Sequence, residues 1–510
     1  MMADSSVAAN AVLIIFAVSF CGAGLAWFKR WGHTLAETMA YVLLSMIMIQ
    51  SWMAQVLLLT GLTVLYLPAL VLCTCLALRV CFTHRRFVFS QFGTFIRFVR
   101  SHRLAISGLL LVWGYVAVAC VWPLVKFSGP DLDYYQPIWH NPRTILSIWT
   151  AHPDMVLPVL NHAVFAASWQ PPLAIALANV SAYTAIGFST YALARRYAWP
   201  PMAITVTLLV ISMHRIVQQS LVAPSELLPA AAALVAVLAI YRMCEQPHWL
   251  DLIMLIGAVS FSVSGGRLCF LMPAVLGALS LVAMGRRHGM RMAGAQVPGK
   301  WGGILMAGAL IMVFTQSSVI WANLMAGKAW IGEPLYDSVV FNPDALMGTA
   351  GNLARYLFLA FDMPDFVDHF FRWSLGFSLL SALKGLYQSV VATTLAGRGA
   401  AVAFDWSWAS GPDFSWFGPA GFCLVMPSLG VALARGPRRL KFTALAMTAY
   451  WVLVGLILAW RPENVRRMTV FFVCSGFMMA FLLPHWRFGR RGWLVLQALS
   501  ILLLAHELLP

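Results

Sequence analysis

Residues 104–137 read LAISGLLLVWGYVAVACVWPLVKFSGPDLDYYQP. The first part is an apolar run of roughly 20 residues, the length that crosses a bilayer core as a helix. The run gives way at Gly129–Pro130 to two carboxylates one residue apart, Asp131 and Asp133. Gly and Pro set a turn at the helix exit. Ionisable side chains so close to lipid are costly, and they mark a functional site by default. Apolar runs separated by polar connectors recur along the rest of the chain.

The 510 residues are 61% hydrophobic and 10% charged. A soluble domain carries about 25% charge, so the composition excludes one. The fold class is an all-α polytopic membrane protein with about 12–14 transmembrane helices and interfacial helices in its outer loops. Spans are predicted near 11–28, 36–58, 62–82, 104–126, 172–193, 200–213, 223–242, 248–264, 268–285, 302–321, 415–434, 442–460, 468–485 and 492–508. The first has no basic leader and no clear cleavage site, and reads as a retained helix. Residues 83–103 set Arg85, Arg86, Arg97, Arg100 and Arg103 among phenylalanines, the pattern of an interfacial helix on an anionic leaflet.

Alternate connectors differ in charge. With the N-terminus outside, the inner set holds 22 of the 34 Lys+Arg and three of the 18 acids, Glu37, Glu245 and Asp251. That bias orients membrane helices. It also accounts for the net charge of +16 without nucleic acid. The nine Cys are scattered, mostly inside apolar runs, and no C-x-x-C pair occurs, so no disulfide framework and no zinc site is expected. Walker A, G-x-G-x-x-G, H-E-x-x-H and G-x-S-x-G patterns are absent, which disfavours nucleotide-driven pumping and serine hydrolysis.

Four regions follow. Residues 1–103 hold N-terminal transmembrane helices plus the basic interfacial segment. Residues 104–321 form a transmembrane core with the outer loop 127–172. Residues 322–413 are an acidic outer segment with two apolar stretches, near 353–361 and 377–391, that are interfacial helices or an extra spanning pair. Residues 414–510 hold the C-terminal helices.

Two groups on the outer face carry chemistry. In an extended or turn segment Asp131 and Asp133 point to the same side. A carboxylate partly removed from water can take a proton from an attacking hydroxyl. The pair could also share a divalent cation, magnesium or manganese; no other cofactor is indicated. The alternative is a solvated loop with two ordinary aspartates. Tyr134, Tyr135, His140, Arg143 and His152 share this loop. Aromatic faces beside hydrogen-bonding groups suit sugar rings, and they also suit interfacial anchoring. The second group is Arg461, Asn464, Arg466 and Arg467, an outer connector that breaks the charge bias. Guanidinium forks bind phosphate oxygens; salt bridges to Glu463 or to the acidic 322–413 segment are the alternative. Arg215 and Arg267, at outer helix ends, are expected to snorkel. Glu226 is expected to cap or support a helix, and the acids of 322–413 to form mostly a solvated surface.

The chain resembles the GT-C superfamily of integral-membrane glycosyltransferases. Asp131–Leu132–Asp133–Tyr134–Tyr135 is similar to the acidic motif of that family's first long outer loop, and looks like the mannosyltransferases of glycolipid anchor synthesis. Asn464–Val465–Arg466–Arg467 is similar to a late N-x-R-Y element, with Arg467 where Tyr stands in the family. Family members place the acidic loop after the first helix; three extra helices precede it here.

The resemblance implies a GT-C-like fold and an inverting glycosyltransferase. A sugar would pass from a polyprenyl-phosphate donor to the hydroxyl of a lipid, glycan or protein acceptor. Asp131, or else Asp133, would be the general base, and Arg461, Arg466 or Arg467 would stabilise the leaving phosphate. The expected setting is a bacterial inner membrane, with the site on the outer, periplasmic face and membrane lipids as partners. The rival readings are a transporter or flippase, and a polymerase or ligase, of lipid-linked glycans. A transporter calls for charges buried in helices or for broken helices.

Overall fold

The structure is a computed structural model. It describes residues 2–60, 65–121, 126–127, 171–223, 226–246, 248–263, 342–359, 365–393, 421–461, 467–485 and 492–508, with a few single positions between them. The spans expected at 268–285 and 302–321, and Arg267, lie outside the described residues.

The described chain is almost wholly helical. The N-terminal part comprises α1 (Met2–Phe28), α2 (Leu35–Leu59), α3 (Tyr66–Thr83), α4 (Arg85–Ser101) and α5 (Arg103–Val121). After a two-residue strand β1 (Lys126–Phe127) come α6 (Pro171–Ala194), α7 (Pro200–Ile211) and α8 (His214–Leu221). Strand β2 (Val222–Ala223), α9 (Leu227–Glu245) and α10 (Trp249–Val263) follow. Three short helices stand next, α11 (Ala345–Leu359), α12 (Asp365–Leu375) and α13 (Leu379–Leu386), the last continuing as a π-helical turn over Tyr387–Ala392. The C-terminal part is α14 (Met426–Arg435), α15 (Arg438–Ile457), α16 (Met468–Gly476), α17 (Met479–Leu482) and α18 (Gly492–Leu508).

Among the described residues six helices are long and apolar enough to cross a membrane: α1, α2, α3, α5, α9 and α15. A seventh crossing is possible as a broken one, α7 and α8, bent by 60°. The short helix expected over 200–213 is α7, and the segment after the bend at Ser212–Met213, expected as a polar loop, forms α8. Neither α11, with 15 residues, nor α13, with eight, is among these spans.

Helix α9 is the axis of the bundle. Every residue from Leu227 to Cys244 is buried. Its run of Ala and Val lets α2, α6, α10 and α16 approach closely, the usual device where no water drives association. Close approach recurs elsewhere: a Cβ at Gly24 would collide with Val42, and one at Gly476 with Val210. These glycines join α1 to α2 and α16 to α7. Helix α4, by contrast, buries no residue fully. Phe98 rests on Tyr191 with ring centroids 5.9 Å apart, while Phe89 and Phe92 are exposed, as suits an in-plane amphipathic helix.

The two ends of the bundle can be labelled by the charge bias. The inner end gathers the three acids of the inner set. Arg196 grips both oxygens of Glu245, Nε to Oε1 and Nη2 to Oε2, each at 2.8 Å. Its Nη2 also reaches Glu37 Oε1 at 2.7 Å. Arg439 Nη1 lies 3.3 Å from Glu245, and Arg242 Nη1 lies 3.7 Å from Glu37. Asp251 bonds His33 and Tyr41. Helices α2, α9, α10 and α15 and the connector after α6 are thereby tied by side chains from each. Buried guanidiniums tolerate lipid depth because carboxylates face them; those carboxylates hold the Arg196 pKa above its ordinary value even though burial pulls it down.

Candidate functional site

The outer end is assembled from four chain segments. β1 follows α5 and pairs in parallel with β2, Lys126 opposite Val222 and Phe127 opposite Ala223. The root of the 127–172 loop is therefore fastened to the segment that leads into α9. Around it, Cys120 Sγ and Asn179 Nδ2 both donate to Ser220 O, at 3.2 and 3.1 Å. The last turns of α5, the start of α6 and the end of α8 thus meet at one carbonyl.

Glu226 is the residue before α9, and its amide donates to Gln219 Oε1 at 2.9 Å. Its side chain does not cap the helix. It accepts from Arg467 Nη1 at 3.1 Å, with both side chains mostly buried. Arg467 stands at the head of α16, and its carbonyl accepts from Tyr450 of α15 at 3.1 Å. Among the described residues a carboxylate beside this arginine is that of Glu226, 241 positions earlier; Glu463 lies outside the described residues.

Helix α11 lies across the outer end of α15. Asn342 N donates to Ile457 O, and Asn352 Nδ2 donates to Gly455 O and Leu458 O at 3.0 and 2.7 Å. These carbonyls lose their intrahelical donors where α15 ends, so two asparagines replace the missing turn. Arg355 is buried and donates to Asn352 Oδ1 at 3.1 Å. Tyr356 packs edge-on against the fully buried Trp460, centroids 5.0 Å apart. Burial pushes the Tyr356 hydroxyl up, and the Arg467 guanidinium draws back part of that shift.

Within the broken span, His214 and Gln218 are hydrogen-bonded at 2.5 Å, and Arg215 is completely buried. The snorkelling expected for Arg215 does not occur. Helix α7 has 12 residues, about 18 Å of rise, against a bilayer core of about 30 Å. His214–Arg215 is thus reached before the outer surface, and the bend holds it inside the bundle. The short run between Pro200 and Met213 was a signal in the sequence that could have found this.

The outer acids also depart from a uniform solvated surface. Asp368 of α12 is buried and accepts from Ser378 Oγ, the Leu380 amide and Arg372. Burial raises its pKa, and these three donors outweigh that and leave it below the ordinary carboxylate value. Asp344 is exposed, as expected.

Of the residues singled out in the sequence, Arg461 is described and exposed, and Arg467 is described and mostly buried. Asp131, Asp133, Tyr134, Tyr135, His140, Arg143, His152, Asn464 and Arg466 lie outside the described residues. Among the described residues no group of three or more His, Cys, Asp or Glu could hold a metal ion. Sequence reading passed over Gln219, Asn352, Arg355, Tyr356 and Trp460. No family model, curated protein or solved structure matches this chain.

Proposed function

We propose that this protein is a membrane glycosyltransferase of GT-C type. It moves a sugar from a polyprenyl-phosphate donor to an acceptor hydroxyl at the outer end of the bundle. The observation that carries the reading is the chain of contacts β1–β2, Gln219–Glu226 and Glu226–Arg467. It supports bringing the root of the Asp131/Asp133 loop and the late arginine segment to one end of one bundle, although more than 300 positions separate them in sequence.

In this reading Asp131 takes the proton of the acceptor hydroxyl as its oxygen attacks the anomeric carbon from the face opposite the phosphate. The glycosidic C–O bond to phosphate breaks, inverting the centre. The polyprenyl phosphate leaves with its charge stabilised by guanidinium donors of Arg467 and its neighbours Arg461 and Arg466. At rest Glu226 occupies Arg467; a phosphate would compete for the same Nη1. A lipid-linked donor arrives within the membrane plane, so no soluble nucleotide-sugar domain is required.

The test is transfer of radiolabelled sugar from a polyprenyl-phosphate donor by the purified chain in detergent. Transfer by the wild type, lost in Asp131→Asn with the protein still folded, supports the reading. Full transfer by both Asp131→Asn and Asp133→Asn removes it.

A second reading rests on a different observation. The broken α7–α8 span with buried Arg215 is the kind of feature that a transporter of lipid-linked glycans builds on. Such a protein would move the lipid across a sealed vesicle and transfer nothing in micelles.

A further inference from the structure

His33 sits in the corner between α1 and α2, and Asp251 in the first turn of α10; both side chains are completely shielded from solvent. The imidazole bridges two oxygens. Nδ1 lies 3.1 Å from Phe28 O, and Nε2 lies 2.9 Å from Asp251 Oδ1. A carbonyl only accepts, and an ionised carboxylate only accepts. A neutral imidazole has one N–H, so it can satisfy one of these contacts and must turn a lone pair toward the other oxygen. Two arrangements avoid that clash. Either both ring nitrogens carry protons beside an ionised Asp251, or Nδ1 carries one and Asp251 is itself protonated and donates to Nε2. Both contain one more proton than neutral imidazole plus carboxylate.

The surroundings are consistent with that count. Tyr41 Oη donates to the same Asp251 Oδ1 at 2.7 Å, so it cannot serve as the acceptor for His33. Asp251 Oδ2 is buried and makes no hydrogen bond among the described residues, which disfavours a bare anion there. The charged groups facing the pair come from every neighbouring element. Lys29 donates to His33 O at 2.9 Å, Arg242 Nε lies 4.0 Å from Asp251 Oδ1, and Glu37 pairs with Arg242 and Arg196. Glu245 and Arg439 complete the network, and His248 stands two residues before Leu250 on the α10 side.

We infer that His33 and Asp251 jointly bind a single proton, a buried proton site that pins the α1–α2 corner to α10. Releasing the proton to water leaves a neutral imidazole and a carboxylate. One of the two His33 contacts then opposes two lone pairs, and the corner loosens from α10. This site is at the opposite end of the bundle from the transfer chemistry and does not depend on it.

The experiment uses the full chain in lipid, labelled with 15N-histidine and 13C-aspartate, with His33→Gln to assign the resonance. At neutral pH the expected result is a doubly protonated His33 ring, or an Nδ1–H ring beside a protonated Asp251 carboxyl. A singly protonated ring beside an ionised Asp251 overturns the inference. The pinning role has its own readout. The unfolding temperature of wild type should drop a few degrees with rising pH relative to Asp251→Asn, whose amide can donate to Nε2 without an added proton. Parallel pH profiles overturn the pin. Should Asp251→Asn not fold, the wild-type spectrum still decides the proton site.

Discussion

At the inner end Arg196 meets Glu37 at 2.7 Å and Glu245 at 2.8 Å, and Arg439 adds a further contact to Glu245. At the outer end Arg467 meets Glu226 at 3.1 Å, and the contacts around it are amide and hydroxyl bonds from Gln219, Asn352 and Tyr450. The inner cluster is a many-sided ionic lock, in which each carboxylate answers more than one helix. The outer link joins Arg467 at the head of α16 to Glu226 before α9. The inner end is thus tied by carboxylates shared between helices, and the outer end by an ion pair set among neutral hydrogen bonds.

That contrast can be broken in four ways, the largest effect first. Asp131→Asn should lower sugar transfer by about 100-fold or more, the usual contribution of a general base. Retained insertion and an unchanged unfolding temperature would separate lost chemistry from lost folding; unchanged transfer in both Asp131→Asn and Asp133→Asn would leave the outer end without a base.

Glu37→Ala removes a buried partner of Arg196 and Arg242, and should cost about 3–5 kcal/mol. Thermal unfolding in detergent measures it. Transfer per folded molecule should stay near wild type, because the lock is far from the loop root. A loss of no more than about 1 kcal/mol would mean the inner network is loosely solvated.

Arg467→Ala should raise the apparent KM for the lipid donor more than that for the acceptor. Its stability loss should be about 1–3 kcal/mol, the range for a charged hydrogen bond that is mostly buried. Glu226→Gln should lose comparable stability yet tighten donor binding by freeing the guanidinium. Equal donor affinity in both variants would remove Arg467 from phosphate binding.

The smallest effect concerns His248. Its Nδ1 accepts from the Leu250 amide at 3.2 Å and so caps α10. Burial lowers its pKa, Asp251 opposes, and His33 and Arg242 lower it further. A group whose folded pKa is depressed contributes stability above its unfolded pKa, about 6.5. That contribution is lost as pH falls through the lower, folded value. Amide exchange at Leu250 should quicken on acidification in wild type and be insensitive to it in His248→Asn, which caps without titrating. Identical profiles would rule out the cap.

Much of the scaffold was legible because lipid thickness imposes a length and charge bias imposes a side. The runs at 36–58, 62–82 and 172–193 fall within a few residues of α2, α3 and α6. The inner acids Glu37, Glu245 and Asp251, grouped only by counting charges, meet around the arginines of one end. Residues 85–101 form the expected amphipathic helix. The exceptions share one cause. Arg215 looked like a surface cation because periodicity carries no depth, and the partner of Glu226, expected as a capping or structural acid, was hidden because it lies 241 positions away. Asp368 looked solvated because the Ser378 and Leu380 donors belong to the next helix.

The sequence alone determined that this chain is rich in helices long and apolar enough to cross a membrane, and which residues could carry acid–base and phosphate chemistry. Those properties follow from local quantities: run length, charge sign and residue type. Only the tertiary structure decided that α9 is the buried axis, that the root of the acidic loop is stitched beside β2, and that Arg467 rests on Glu226. Partner choice among distant charges depends on which helices become neighbours. That is set by the packing of small residues across many helices at once, and no single stretch of sequence encodes it.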